Sequence, residues 1–168
     1  STTPRPATLE EVKQVIADFG LATKNAKEAG FDGVEIHGAH GYLLHQFWVE
    51  QTNQRDDEYG GSRENRARLT LDVIDACVAA WDADHIGIRI SPLGTFNNVE
   101  GGYEGDDNIW LIEQINKRGL MYLHLSEPDW AGGTPYSTEF RQRVRGAFGQ
   151  MIIAAGGYTP EKAEQNIK

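Results

Sequence analysis

Several features that would assign a chain to a broad class are absent here. The 168 residues include one cysteine, so no disulfide can form within the chain, and a reducing compartment such as the cytoplasm is expected. No run of about 18 apolar residues occurs, so we expect no membrane span. Lys and Arg number 16 against 25 Asp and Glu, for a net charge of −9. That balance argues against a nucleic-acid partner but leaves room for a local pocket that binds a phosphorylated small molecule.

The chain alternates amphipathic and β-branched segments. Thr8 and Glu11 form a capping-box pattern, apolar residues then recur at helical spacing, and Gly30 suits the helix C-terminus. Short, nearly continuous apolar runs predict strands at 33–37, 85–90, 121–126 and 151–157. Helices are predicted at 64–81, 107–118, 138–148 and from Pro160 onward, with a long loop over 38–62.

Four apolar strands separated by helices indicate parallel βα units. Both a doubly wound sheet and a (β/α)8 barrel satisfy this pattern. Polar residues or glycines end the strands, as at His37, Arg89, Ser126 and Gly156, and the carboxyl ends of the strands form the active-site face of a barrel. The pattern therefore favours a TIM (β/α)8 barrel, of which four units make about half.

The highest density of reactive side chains follows the first predicted strand. His37 and His40 lie three residues apart, and Tyr42 follows two residues later. Two imidazoles can donate hydrogen bonds to one carbonyl oxygen, and a tyrosine keeps its proton at neutral pH and can deliver it to a carbanion. The same residues allow other interpretations: ordinary structural hydrogen bonds, or a metal site built from His37, His40 and His45.

Longer motifs add specificity, and together they resemble the Old Yellow Enzyme family of FMN-dependent ene reductases. The resemblance is closest to its bacterial branch of N-ethylmaleimide and pentaerythritol tetranitrate reductases. It extends over essentially the whole chain. The motifs that carry it are HxxHGYLLxQF at 37–47, NxRxDxYGGSxENRxR at 53–68, GIRISPxGTF at 87–96 and HLSEPDW at 124–130.

The resemblance implies a role for each matching residue. His37 and His40 occupy the positions of the pair that binds the substrate oxygen, and Tyr42 that of the catalytic proton donor. Arg89 matches the arginine beside the flavin, where its fixed charge favours the anionic reduced form. Gly156 and Gly157 match part of the FMN phosphate site. The implied cofactors are FMN and a hydride donor, NADPH or NADH, with no metal.

The implied activity is reduction of the C=C bond in α,β-unsaturated carbonyl, maleimide or nitro compounds. Relative to the family, we expect residues 1–168 to form a single partial barrel domain that lacks the first three strands and the last strand. Two alternatives stay open: an inactive half-barrel that self-associates through its exposed edges, or a metal-dependent barrel hydrolase. The stretch from Trp48 to Gln51 departs from the family pattern and places the local loop in question.

Overall fold

The computed structural model describes residues 5–99 and 105–167. Strands and helices alternate along this part of the chain. The strands are β1 (Val34–Gly38), β2 (Ile86–Ile90), β3 (Tyr122–Ser126) and β4 (Met151–Ala155). The α-helices are α1 (Leu9–Glu28), α2 (Leu43–Trp48), α3 (Arg63–Ala80), α4 (Asp106–Asn116), α5 (Thr138–Ala147) and α6 (Pro160–Ile167). Short 3-10 helices occupy Ala83–His85, Phe96–Asn98 and Pro128–Ala131.

Helix α1 begins and ends as its sequence predicts. The Thr8 hydroxyl accepts a hydrogen bond from the Glu11 amide at 3.2 Å, and the Glu11 carboxylate accepts one from the Thr8 amide at 2.8 Å. Both bonds satisfy amides that have no partner within the helix. Gly30, with φ of 86°, follows the helix in the left-handed conformation. The capped helix packs against α3.

The four strands form one parallel sheet in the order β1-β2-β3-β4. A doubly wound sheet reverses its strand order near the ligand site, whereas a barrel adds its strands in sequence. The sequential order therefore supports the barrel prediction: the described part of the chain is four βα units, about half of a (β/α)8 barrel.

The two faces of the sheet differ in chemistry. Ile36, Ile88 and Leu123 point to the helical side and are at most 3% exposed, within the hydrophobic core. The opposite face, which corresponds to the barrel interior, carries polar side chains. His37, Arg89 and His124 lie next to one another there in the strand register. Because successive side chains alternate across a strand, Ile36, Ile88 and Leu123 join the core while His37, Arg89 and His124 face the open side.

The predicted loop over 38–62 contains a helix that the sequence analysis missed. Leu44, Phe47 and Trp48 bury one face of α2, and the Trp48 indole Nε1 donates to the Asn108 Oδ1 at 3.0 Å. Three apolar residues at helical spacing are too few to give a clear periodic signal, and no side-chain cap marks the helix start at Tyr42. The unusual Trp48 thus anchors α2 to α4.

No helix within residues 5–99 and 105–167 is long and apolar enough to cross a bilayer. The single cysteine, Cys77, lies in α3 at 1% exposure, and burial raises the pKa of its thiol. It therefore behaves as a small core residue.

Candidate active site

The predicted reactive residues converge at the carboxyl ends of the strands. His37 lies on β1 beside Arg89 on β2 in the strand register, and the chain turns sharply immediately after β1. His40 has a φ of 59° and Gly41 a φ of 70°. A Cβ at Gly41 would lie 2.4 Å from the Phe96 carbonyl oxygen, so only glycine fits this turn. The turn brings His40 and Tyr42 back over the end of the sheet.

His40 is held at both its backbone and its ring. Its amide donates to the Ser91 hydroxyl at 2.8 Å, and its carbonyl oxygen accepts from the Asn97 side chain at 3.0 Å. Its ring Nε2 lies 2.7 Å from the Ser126 hydroxyl. A non-glycine residue in the left-handed region is strained, and these contacts from three other segments offset the strain. The position of the imidazole is therefore set before any ligand binds.

His45 supports the same turn from beneath. Its Nδ1 accepts a hydrogen bond from the Gly41 amide at 2.9 Å, and the side chain is buried. Burial, with a smaller effect from His40 and His37, lowers the pKa of His45 to about 4. The neutral ring can accept from Gly41, whereas a protonated ring has no lone pair to offer.

Three polar rings surround one position in the cleft. The His37 ring lies 5.3 Å from the His40 ring and 5.5 Å from the Tyr42 ring, measured between centroids. Tyr42, at the start of α2, is 51% exposed and lines the same cleft as His40 and Arg89. The arrangement places two nitrogen donors and one phenol within reach of a single bound molecule.

Both histidines of the pair favour the neutral state. Burial first, then the positive charge of Arg89, lowers the pKa of His37. The same two causes lower the pKa of His40 to about 4. At neutral pH each ring therefore carries one N–H, and the pair can donate to an oxygen atom without adding a positive charge.

Aromatic side chains form a wall beside the histidines. Phe96 and Trp130 are 44% and 50% exposed, with ring centroids 5.8 Å apart, and Trp130 also lies 5.8 Å from His40. Exposed aromatic rings of this kind provide apolar surface against which a planar molecule can stack. Such a wall beside polar donors is typical of a small-molecule site.

Arg89 lines the same cleft and is a suitable contact for an anionic or electron-rich ring. Its Nη2 donates to the Ser126 hydroxyl at 3.3 Å, while its buried Nε has no hydrogen-bond partner. No carboxylate pairs with it within residues 5–99 and 105–167. An unpaired buried donor is costly, so this guanidinium suits an acceptor group that enters the cleft.

The predicted phosphate contact is partly occupied by the protein itself. The Gly157 amide donates to Asp129 Oδ1 at 2.8 Å, and Asp129 also pairs with Lys162 at 2.5 Å. A Cβ at Gly156 would lie 2.3 Å from Asp129 Oδ1, so the close approach of this carboxylate requires glycine. A phosphate bound through the Gly157 amide would have to displace Asp129.

No group of three or more His, Cys, Asp or Glu side chains in the described ranges is arranged to hold a metal ion. His45, the third member of the metal alternative, uses its Nδ1 for the Gly41 amide. The metal-dependent alternative therefore gains no support from this arrangement.

Sequence reasoning missed the residues that hold His40 in place. Ser91, Asn97 and Ser126 all bond to it directly, although they are 51, 57 and 86 residues away in the chain. Single serine or asparagine side chains carry no recognisable pattern. Only their position at strand ends, noted for Ser126, could have indicated a role.

Comparison with known proteins places the chain in a family of flavin-dependent oxidoreductases. The model of the NADH:flavin oxidoreductase / NADH oxidase family matches residues 2–168. The chain belongs to this family, and the resemblance to the Old Yellow Enzyme family is confirmed.

The similar proteins are about twice as long as this chain. 12-Oxophytodienoate reductase 2 of Arabidopsis thaliana is 41% identical over 170 residues, which is 99% of this chain and 45% of the plant protein. Morphinone reductase superposes with a TM-score of 0.91 at 36% identity, over 99% of this chain and 45% of the enzyme. The old yellow enzyme homologue from Zymomonas mobilis gives 0.90 at 29% identity, over 99% of this chain and 47% of that one.

Proposed function

We propose that the protein is an FMN-dependent oxidoreductase that uses NADH or NADPH to reduce C=C bonds conjugated to a carbonyl, maleimide or nitro group. The observation that carries this proposal is the convergence of His37, His40, Tyr42 and Arg89 on one cleft with an aromatic wall. The names of similar proteins support it, since 12-oxophytodienoate and morphinone each describe an unsaturated ketone.

In this proposal His37 and His40 bind the substrate oxygen. Each neutral ring donates one N–H, and two donors that converge on the oxygen stabilise negative charge as it develops there. Their fixed positions avoid the cost of ordering them during the reaction. Phe96 and Trp130 pack against the apolar part of the same molecule.

Tyr42 is the proposed general acid. A carbanion next to the activating group needs a proton, and the Tyr42 hydroxyl reaches the cleft beside His37. Tyrosine ordinarily keeps its proton at neutral pH, so it can donate to a strong base such as a carbanion.

Arg89 and the glycines are the proposed cofactor contacts. When bound, FMN supplies the hydride, which originates from NADH or NADPH. Arg89 provides a fixed positive charge that favours an electron-rich ring beside it. Gly156 and Gly157 are proposed to contact the phosphate, with Asp129 displaced from the Gly157 amide.

The binding experiment uses the protein expressed with the sequence that flanks this chain in its natural reading frame. FMN fluorescence in the supernatant after denaturation shows whether the purified protein carries FMN. Titration of the FMN-loaded protein with a phenol tests the histidines. His37→Ala or His40→Ala should weaken phenol binding by about 0.5–1.5 kcal/mol, the value of a hydrogen bond between neutral groups, because both rings are neutral at pH 7.

His85→Ala is the matched control, because His85 bonds to the Asp32 carbonyl oxygen and stacks on Trp81 outside the cleft. Its phenol affinity should equal that of the wild type. Equal affinities in all three variants would remove the histidine pair from the proposal.

The proposal also concerns the uncovered edge and face of the four-stranded sheet. Met151 and Ile153, on the open face of β4, are 62% and 37% exposed. The chain spans about 45% of the curated relatives it matches. We propose that residues 1–168 are one partial barrel domain in a cytoplasmic enzyme, and that alone they self-associate and fail to hold FMN. Analytical ultracentrifugation of the isolated 168 residues tests this. A monomer that carries one FMN per chain would contradict it.

A further inference from the structure

Ser126, the last residue of β3, connects two parts of the proposed site. Its hydroxyl oxygen lies 2.7 Å from His40 Nε2 and 3.3 Å from Arg89 Nη2. The residue is 1% exposed. His40 belongs to the turn after β1 and Arg89 to β2, so one buried hydroxyl bridges the proposed substrate contact and the proposed cofactor contact.

The direction of one of these hydrogen bonds is fixed. A guanidinium has only donors, so the Ser126 oxygen must accept from Arg89. The hydroxyl hydrogen then needs an acceptor of its own. Among the residues that the structure describes, His40 Nε2 is the only potential acceptor that contacts this hydroxyl. A buried hydroxyl without an acceptor is costly, so the hydrogen is best satisfied by pointing to Nε2.

The state of the His40 ring agrees with this direction. The ring is neutral at pH 7 and carries a single proton on either Nδ1 or Nε2. Nδ1 makes no hydrogen bond within the described ranges, whereas Nε2 is held by Ser126. If Nε2 accepts, the proton must be on Nδ1.

We propose that Ser126 is a positioning residue that fixes the tautomer of His40, so that the ring presents its Nδ1–H, and not a lone pair, to the cleft. The inference rests on the proposed function, because only a ligand with an acceptor oxygen benefits from this tautomer. A ring with the opposite tautomer would repel a carbonyl oxygen at Nδ1. The Ser126 hydroxyl therefore makes His40 a donor before the ligand arrives.

Nuclear magnetic resonance tests the tautomer directly in the protein expressed with its natural flanking sequence, whether or not it carries FMN. Two-bond ¹H–¹⁵N correlations of the His40 ring show which nitrogen carries the proton. The wild type and Ser126→Thr, which keeps the hydroxyl, should show His40 protonated on Nδ1. Ser126→Ala should show a mixture of tautomers and bind 2-cyclohexen-1-one, whose oxygen can only accept, about 2- to 10-fold more weakly, the value of one neutral hydrogen bond.

A wild-type His40 ring protonated on Nε2 would overturn the inference, and this spectrum decides even if Ser126→Ala does not fold. An Nδ1 tautomer and an affinity for 2-cyclohexen-1-one that are both unchanged in Ser126→Ala would also overturn it. Failure of the proposed function has a different signature. The protein would then lack FMN or enone reduction, while the ring spectrum would still report on Ser126.

Discussion

Replacing Glu127 should destabilise the loop that carries part of the site. Glu127 follows β3, its side chain is fully buried, and Arg141 pairs with both of its oxygens at 2.5 and 2.6 Å. The Tyr158 hydroxyl donates to it at 2.5 Å, and Lys162 lies 3.3 Å away. This carboxylate therefore ties the end of β3 to α5, to α6 and to the segment after β4.

Glu127→Gln keeps the shape of the side chain but removes the charge that balances two cations. Breaking a buried ion pair in this way costs about 3–5 kcal/mol, because Arg141 loses the carboxylate it pairs with, whereas Lys162 keeps its pair with Asp129. For a chain of this size, 1 kcal/mol corresponds to about 2–4 °C in Tm. The variant should therefore melt about 6–20 °C below the wild type, as followed by circular dichroism.

Asp75→Asn is the matched control. Asp75 also binds an arginine through both oxygens, Arg118 at 2.7 and 3.0 Å, but its side chain is 55% exposed. Exposed pairs contribute about 0–1 kcal/mol, so this variant should melt within a few degrees of the wild type. Equal losses in Glu127→Gln and Asp75→Asn would refute the argument from burial.

The Glu127 contribution should also depend on pH. Burial alone would raise the pKa of Glu127, but hydrogen bonds from Arg141 and Tyr158 outweigh burial and lower it. Because the pKa of Glu127 is lower in the folded state, its carboxylate stabilises the fold fully at pH values above its unfolded pKa of about 4.3. That stabilisation is lost as the pH falls through the folded pKa. The difference in Tm between wild type and Glu127→Gln should therefore shrink in acid.

Three further predictions concern the cleft. Tyr42→Phe should slow re-oxidation of the reduced protein by an enone about 10²- to 10⁴-fold, with flavin reduction nearly intact in stopped-flow traces; two unchanged half-reactions would exclude Tyr42 as the acid. Arg89→Met should lower the flavin midpoint potential, which potentiometry measures, and an unchanged potential would remove Arg89 from the cofactor site. His45, with a folded pKa of about 4, should contribute stability above about pH 6.5 that is lost towards pH 4. His45→Gln should flatten that dependence in thermal melts, and an equally steep one would contradict it.

Much of the fold could be predicted because its signals are local. The capping box at Thr8 and the apolar strand cores gave elements within a few residues of those observed. Strand order could not be read from the sequence, because the hydrophobic pattern is the same in a barrel and in a doubly wound sheet. The structure decides between the two through its sequential parallel pairing.

From their spacing, the residues of the candidate site could be predicted only where they lie close together in the chain. His37, His40 and Tyr42 are close in the chain, so their spacing allowed a shared role among other interpretations, and the family resemblance implied which role. The hydrogen bonds that hold the His40 backbone and ring in place come from Ser91 and Ser126, which the fold brings to it from 51 and 86 residues away. The Asp129 contact to the Gly157 amide is equally non-local, and it complicates the simple phosphate-site prediction.

Anaerobic re-oxidation of the reduced protein by an enone tests the central claim most directly. The protein, expressed with its natural flanking sequence, is reduced with NADH or NADPH and mixed with 2-cyclohexen-1-one. The account predicts bound FMN, recovery of the oxidised flavin spectrum and one equivalent of saturated ketone per flavin. A protein that carries no FMN, or whose reduced flavin persists in the presence of the enone, would contradict it.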